Sequence, residues 1–180
     1  MNDFVKIARE AVETFTQTGE TIRMVNNIDQ QLTNIKAGVF VTIHKKLKKD
    51  PKKSELRGCI GTFLPTKTNI VQEIIGNAIS ACSRDYRFSP ITKDELDKLK
   101  IKVDVLSKPQ LIDDISKLDP RKYGVLIKSE NDSRSGLLLP DLEGVDTIHD
   151  QIAIALKKAG INKNEPVKIY SFTITRYKED

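Results

Sequence analysis

Tryptophan is absent from this chain, and cysteine and histidine occur twice each in 180 residues. Two cysteines, Cys59 and Cys82, are too few for a disulfide framework. With His44 and His149 scattered elsewhere, no group has the short paired spacings of a structural zinc site, so neither a metal nor a cofactor is expected. No apolar run approaches the ~20 residues that span a bilayer. The start, Met1-Asn2-Asp3-Phe4, leads into a charged periodic segment rather than a cationic region followed by an apolar block. The expected setting is cytoplasmic, away from membranes, with both thiols reduced. Glycine spacing matches neither a Walker loop nor a dinucleotide fingerprint, which removes the usual phosphate cradles.

A large charge surplus is also missing. Thirty basic and 25 acidic side chains leave +5. This balance admits nucleic acid or acidic ligands without requiring either. Lys45, Lys46, Lys48, Lys49, Lys52 and Lys53 crowd around Asp50-Pro51, a turn signal between two strands, so the run reads first as a solvated hairpin tip. RNA or protein binding through it is the alternative. Few aromatics interleave with the lysines, which weakens the RNA case.

What is present is a chain long enough for one substantial core, read as a single domain over 1–180. Phe4, Ile7, Ala8, Ala11, Val12 and Phe15 recur at helical spacing, with Asn2 or Asp3 as cap and Gly19 as stop. Gly38 to His44 is rich in β-branched residues, and the lysine-rich turn returns the chain through Leu56 to Phe63 as a hairpin. A second helix is predicted from Asn69 to Arg84 with Thr68 as cap, and a short one from Thr92 to Leu99. Strands are predicted at 101–106, 123–128, 136–139 and 167–177, with a helix over 147–159 ending at Gly160. Helices and strands mix without βαβ alternation, so the expected class is α+β with a mainly antiparallel sheet. The polar span 108–121 is either a lobe boundary or a surface loop.

The densest chemistry lies in Leu56-Arg57-Gly58-Cys59-Ile60-Gly61. In an extended strand Arg57 and Cys59 share one face, and Leu56 and Ile60 the other. A guanidinium beside a thiol favours the thiolate, which makes Cys59 the candidate catalytic nucleophile. The competing reading is a small residue in a crowded strand. Gly58 and Gly61 point to a bulge, a bend, or close approach of a ligand or backbone. A nucleophilic cysteine also needs a base, and His44 and His149 are the only histidines. Asp85-Tyr86-Arg87-Phe88, after the second helix, holds either an ion pair or an anion-receiving arginine. Asp104 projects opposite the apolar face of its strand, where it could answer Arg57 or serve as acid or base. Arg57, Gly58, Gly61, Asp85, Arg87 and Asp104 are therefore the candidate ligand-binding residues around Cys59.

These blocks, with Val103-Asp104-Val105-Leu106-Ser107, Gly136-Leu137-Leu138-Leu139-Pro140 and Lys158-Ala159-Gly160-Ile161, resemble the AMMECR-one domain family over nearly the whole chain. The run from Leu137 to Thr147 is most similar to its prokaryotic branch, grouped as the AmmeMemoRadiSam system. The resemblance implies a compact α+β fold of two unequal lobes. It also implies Memo-like and radical-SAM pathway proteins as partners. With the clustered polar residues, this association leads to the expectation of an accessory or enzyme-like pathway protein that binds a small ligand or partner in a cleft lined by Arg57, Cys59, Asp85, Arg87 and Asp104. Tyr86 stands where many members have proline, Asp141 where many have glutamine, and Leu156 where many relatives carry a cysteine.

Overall fold

Asn2 and Gly19 bracket the first helix as their chemistry dictates. Asn2 accepts the Phe4 amide at its carboxamide oxygen, and Gly19 ends α1 (Asp3–Thr18) at φ 77°. The computed structural model describes residues 2–23, 25, 28–50 and 53–179. Its elements continue as β1 (Val39–Lys46), β2 (Ser54–Thr62), α2 (Ile70–Ser83), β3 (Leu99–Leu106) and β4 (Gln110–Leu111). After them come β5 (Gly124–Ser129), β6 (Ser135–Leu138), α3 (Ile148–Ala159), β7 (Val167–Phe172) and β8 (Ile174–Lys178). The fold is α+β, and the chain divides into two compact units.

The first unit comprises residues 1–105 and 176–180. Its sheet has the order β2-β1-β3-β8, with β1 antiparallel to both β2 and β3. Val39, Val41, Ile43, Ile101 and Val103 alternate onto one face and are fully or almost fully buried with α1 and α2. Each such side chain contributes on the order of 2 kcal/mol. The opposite face carries Phe40, Thr42, His44, Lys100, Lys102 and Asp104. Pro51 and Lys52, in the lysine-rich turn between β1 and β2, lie outside the described residues.

The second unit, residues 106–175, has a sheet of order β4-β7-β5-β6 with α3 packed on β5 and β6. Its core gathers Val125, Ile127, Leu138, Ala155 and Ile161. As expected, the leucine run contributes buried strand, and Gly160 ends α3 at φ 65°.

Three local expectations change. Asn69 rather than Thr68 caps α2, accepting the Gln72 amide at 3.0 Å. The segment after Thr92 is a 3-10 helix over Lys93–Lys98. The strand predicted over 167–177 is two strands, because Thr173 leaves the ladder and exchanges hydrogen bonds with Ser107. The Ser107 amide donates to the Thr173 carbonyl and the Thr173 amide to the Ser107 hydroxyl, both at 2.9 Å. Alternation runs unbroken through Thr173, so that switch between sheets has no local sign.

Candidate functional site

The six-residue block lies in β2, an edge strand, and its glycines are explained by contact. A Cβ on Gly58 would stand 2.1 Å from the Ala81 carbonyl oxygen, so α2 crosses β2 where only hydrogen fits. On the other face, a Cβ on Gly61 would meet the Phe40 ring at 2.2 Å. The β1–β2 register also slips here. Ile43 pairs with Gly58 and His44 with Leu56, which leaves Arg57 as the extra residue of a bulge.

That bulge changes the geometry expected of Arg57. Instead of standing beside the thiol, its guanidinium forks onto Glu95, Nε to Oε1 and Nη2 to Oε2 at 2.9 Å each, and donates to the carbonyls of Ser89 (2.7 Å) and Pro90 (3.2 Å). Glu95 also accepts Lys45 Nζ at 2.7 Å and the Thr92 amide at 3.0 Å. With these donors converging, led by Arg57, its carboxyl is held far below the usual carboxylate range. Arg57 thus fastens β2 to the turn before the 3-10 helix.

Cys59 is positioned through its backbone. Its amide donates to Asp85 Oδ2 at 2.9 Å, and its carbonyl accepts Arg87 Nη2 at 3.2 Å, so two side chains supply what a neighbouring strand would supply at this open edge. Asp85 and Arg87 also pair directly, Nε to Oδ1 at 2.9 Å and Nη2 to Oδ2 at 2.6 Å. Asp85 is buried. Hydrogen bonding from Arg87 outweighs the cost of burial and holds its carboxyl down at about 2. A depressed carboxylate stabilises the fold above its ordinary value, 3.8, and that contribution fades as pH falls from about 4 to about 2. Asp85→Asn is therefore expected to lower stability at neutral pH by on the order of 2 kcal/mol and to flatten its decline across that acid window, as read by denaturant melts against pH.

The Cys59 side chain lies on the sheet face opposite α2, 3.3 Å from the Thr42 hydroxyl. Register sets Thr42 opposite both Cys59 and Lys102, so Cys59, Thr42 and Lys102 form one row across three strands. A second row sets Phe40 opposite Gly61 and Asp104, and Asp104 is buried and paired with Arg176 Nε at 2.8 Å. His44, paired with Lys100 along the same face, is half-buried. Desolvation, with Lys102 nearby, pushes its imidazole below the ordinary value, so it stands neutral near pH 7. Cys82 is buried, donates to the Ile79 carbonyl, and has its thiol pushed up by desolvation.

Of the candidate residues, the structure brings Cys59, Asp85 and Arg87 together at the strand edge. Arg57 is turned to Glu95 and Asp104 to Arg176, so the pairing considered between Arg57 and Asp104 is replaced by two separate ones. Sequence reasoning does not single out Glu95, Thr42, Lys102 or Arg176. Glu95 carries one sign, its position three residues after Thr92, which forms a capping box. Among the described residues no group of three or more His, Cys, Asp or Glu side chains could hold a metal ion, and no helix is long and apolar enough to cross a membrane.

The class defined by these features is an α+β protein of two units, whose first sheet presents a glycine-flanked cysteine on an edge strand fixed by an Asp–Arg pair. The AMMECR1 family model matches residues 5–180, and the chain belongs to that family. A Thermotoga maritima protein is 47% identical over 97% of each chain. A Clostridium acetobutylicum protein is 42% identical over 98% of this chain, which spans 36% of that relative's length. The crystal structure of protein PH0010 from Pyrococcus horikoshii is similar at a TM-score of 0.87 and 31% identity, covering 99% of this chain and 91% of that one.

Proposed function

We propose that this AMMECR1 protein is an accessory, enzyme-like component of a radical-SAM-associated modification pathway, binding a small ligand or partner on the sheet face that carries Cys59. The observation that supports this reading is the row Cys59, Thr42 and Lys102, half-buried at both ends, on a strand whose backbone Asp85 and Arg87 hold from the side. A thiol, a hydroxyl and an ammonium in register give a ligand three different handles, and rigid strands keep them in place. Neutral His44 on the same face adds a proton acceptor.

Residue-resolved alkylation of the native protein tests the reading. Iodoacetamide should label Cys59 at least ~10-fold faster than Cys82, whose thiol is buried and harder to ionise. Equal rates would remove the reactive-thiol reading. Co-purification with Memo-like and radical-SAM proteins should fall when Lys102→Glu reverses the charge of the row; unchanged association would remove this face as the contact.

A further inference from the structure

A cavity of about 490 Å³ opens in the first unit at the end of the sheet where β1 finishes and β3 begins. Arg9 and Glu179 line it and are committed to each other. Arg9 Nε donates to Glu179 Oε1 at 2.8 Å, and the same guanidinium reaches the carbonyls of Leu96 and Leu99 at 3.2 and 3.0 Å. Glu179 Oε2 accepts the Ile101 amide at 2.9 Å. These contacts give a rigid, internally neutral part of the wall. The other lining cations come one from each of three neighbouring strands: Lys46 on β1, Lys100 on β3 and Lys178 on β8. Glu13 also lines it, 3.6 Å from Arg9. Among the described residues four cationic and two anionic side chains line the space, an excess of two positive charges among them.

We propose that this cavity is a binding site for a small ligand carrying two or more negative charges. The ammonium groups of Lys46 and Lys178, on long stems, are point donors suited to phosphate or carboxylate oxygens, and like charges gathered around one space repel one another, a cost that an entering anion relieves. The volume falls in the range of small-molecule pockets, roughly 300–1,000 Å³. Among the described residues no aromatic side chain lines the cavity to stack a base, as single-stranded nucleic acid sites typically do. Along β1 it begins four residues from Thr42, roughly 13 Å; Lys100 belongs to the sheet face that carries Cys59, so the cavity adjoins the far end of that face, but Cys59, Thr42 and Lys102 do not line it.

Isothermal titration of the full chain with pyrophosphate and with citrate, at about 0.01 M and about 0.15 M ionic strength, tests the site. One saturable site is expected, weakened about tenfold in Lys46→Gln/Lys178→Gln and unchanged in the hairpin control Lys48→Gln/Lys49→Gln. Retained binding in Lys46→Arg/Lys178→Arg, with matching thermal melts, would trace the loss to charge rather than misfolding. Tighter pyrophosphate marks a phosphorylated ligand and tighter citrate a polycarboxylate; either outcome supports the site. The proposal is overturned if neither probe saturates at low ionic strength, if several equivalents bind, or if the hairpin control weakens binding as much. Cys59 alkylation reads the other site independently, so one reading can fail without the other.

Discussion

Gly58→Ala is expected to destabilise the protein by about 3 kcal/mol, among the largest effects of any single methyl group added to this chain. The new Cβ would lie 2.1 Å from the Ala81 carbonyl oxygen. That atom belongs to the backbone of α2, which is held by its own hydrogen bonds and by a core containing Ile74, Ile75, Ala78 and Cys82. Relief therefore requires α2 and β2 to separate, not a side chain to rotate. Gly61→Ala supplies the comparison. There the obstacle is the Phe40 ring, which can swing on its own torsions, so the cost should be nearer ~1 kcal/mol. Denaturant unfolding of the two variants side by side decides the matter. Equal costs, or no cost for Gly58→Ala, would mean that the close crossing of helix and strand does not constrain the motif. A large cost assigns Gly58 to packing and leaves Cys59, one residue on, as the group displayed to the other face.

Much of this arrangement is legible in the amino-acid sequence, and what is hidden there is non-local. Helix periodicity places α1 to within a residue or two, because Asn2, Gly19 and the apolar stripe all act within a few residues of one another. The motif glycines announce either a bulge or a close approach, and both occur. The consequence for Arg57 cannot be read locally. Whether it stands beside Cys59 or turns to Glu95 depends on a one-residue slip against β1, which reverses the alternation on one side of the slip. Asp104 and Arg176 are 72 positions apart in the chain, so only the order of strands brings them together. The Asp85–Arg87 pair is visible as a pair. Its target, the backbone of Cys59, is not, because no local signal tells that β2 has an open edge on that side.

Glu95→Ala is expected to be among the more damaging polar substitutions in the first unit, costing about 3–5 kcal/mol, because it strands two cations that are now paired. Arg57 is 12% exposed and Lys45 28% exposed at the side chain, and each gives Glu95 a short hydrogen bond. The same substitution removes the capping box with Thr92. For a chain of this length such a loss lowers Tm by on the order of 10 °C. Acid should reproduce part of it. The Glu95 carboxyl is depressed in the fold, so its contribution is present above the ordinary glutamate range, near pH ~4.3, and disappears only as pH falls well below it. Glu95→Gln, which keeps an acceptor but removes the charge, should lose less than the alanine variant and should flatten stability across the acid range. The double variant Arg57→Met/Glu95→Leu separates stability from positioning. An apolar pair of similar bulk can restore much of the stability while leaving Lys45 to solvent. If that protein melts near the parent temperature yet its Cys59 alkylation rate has changed, the arginine of the motif acts by setting where β2 lies. A parental melt with a parental alkylation rate would reduce Arg57 to a fastener that any well-packed residue could replace.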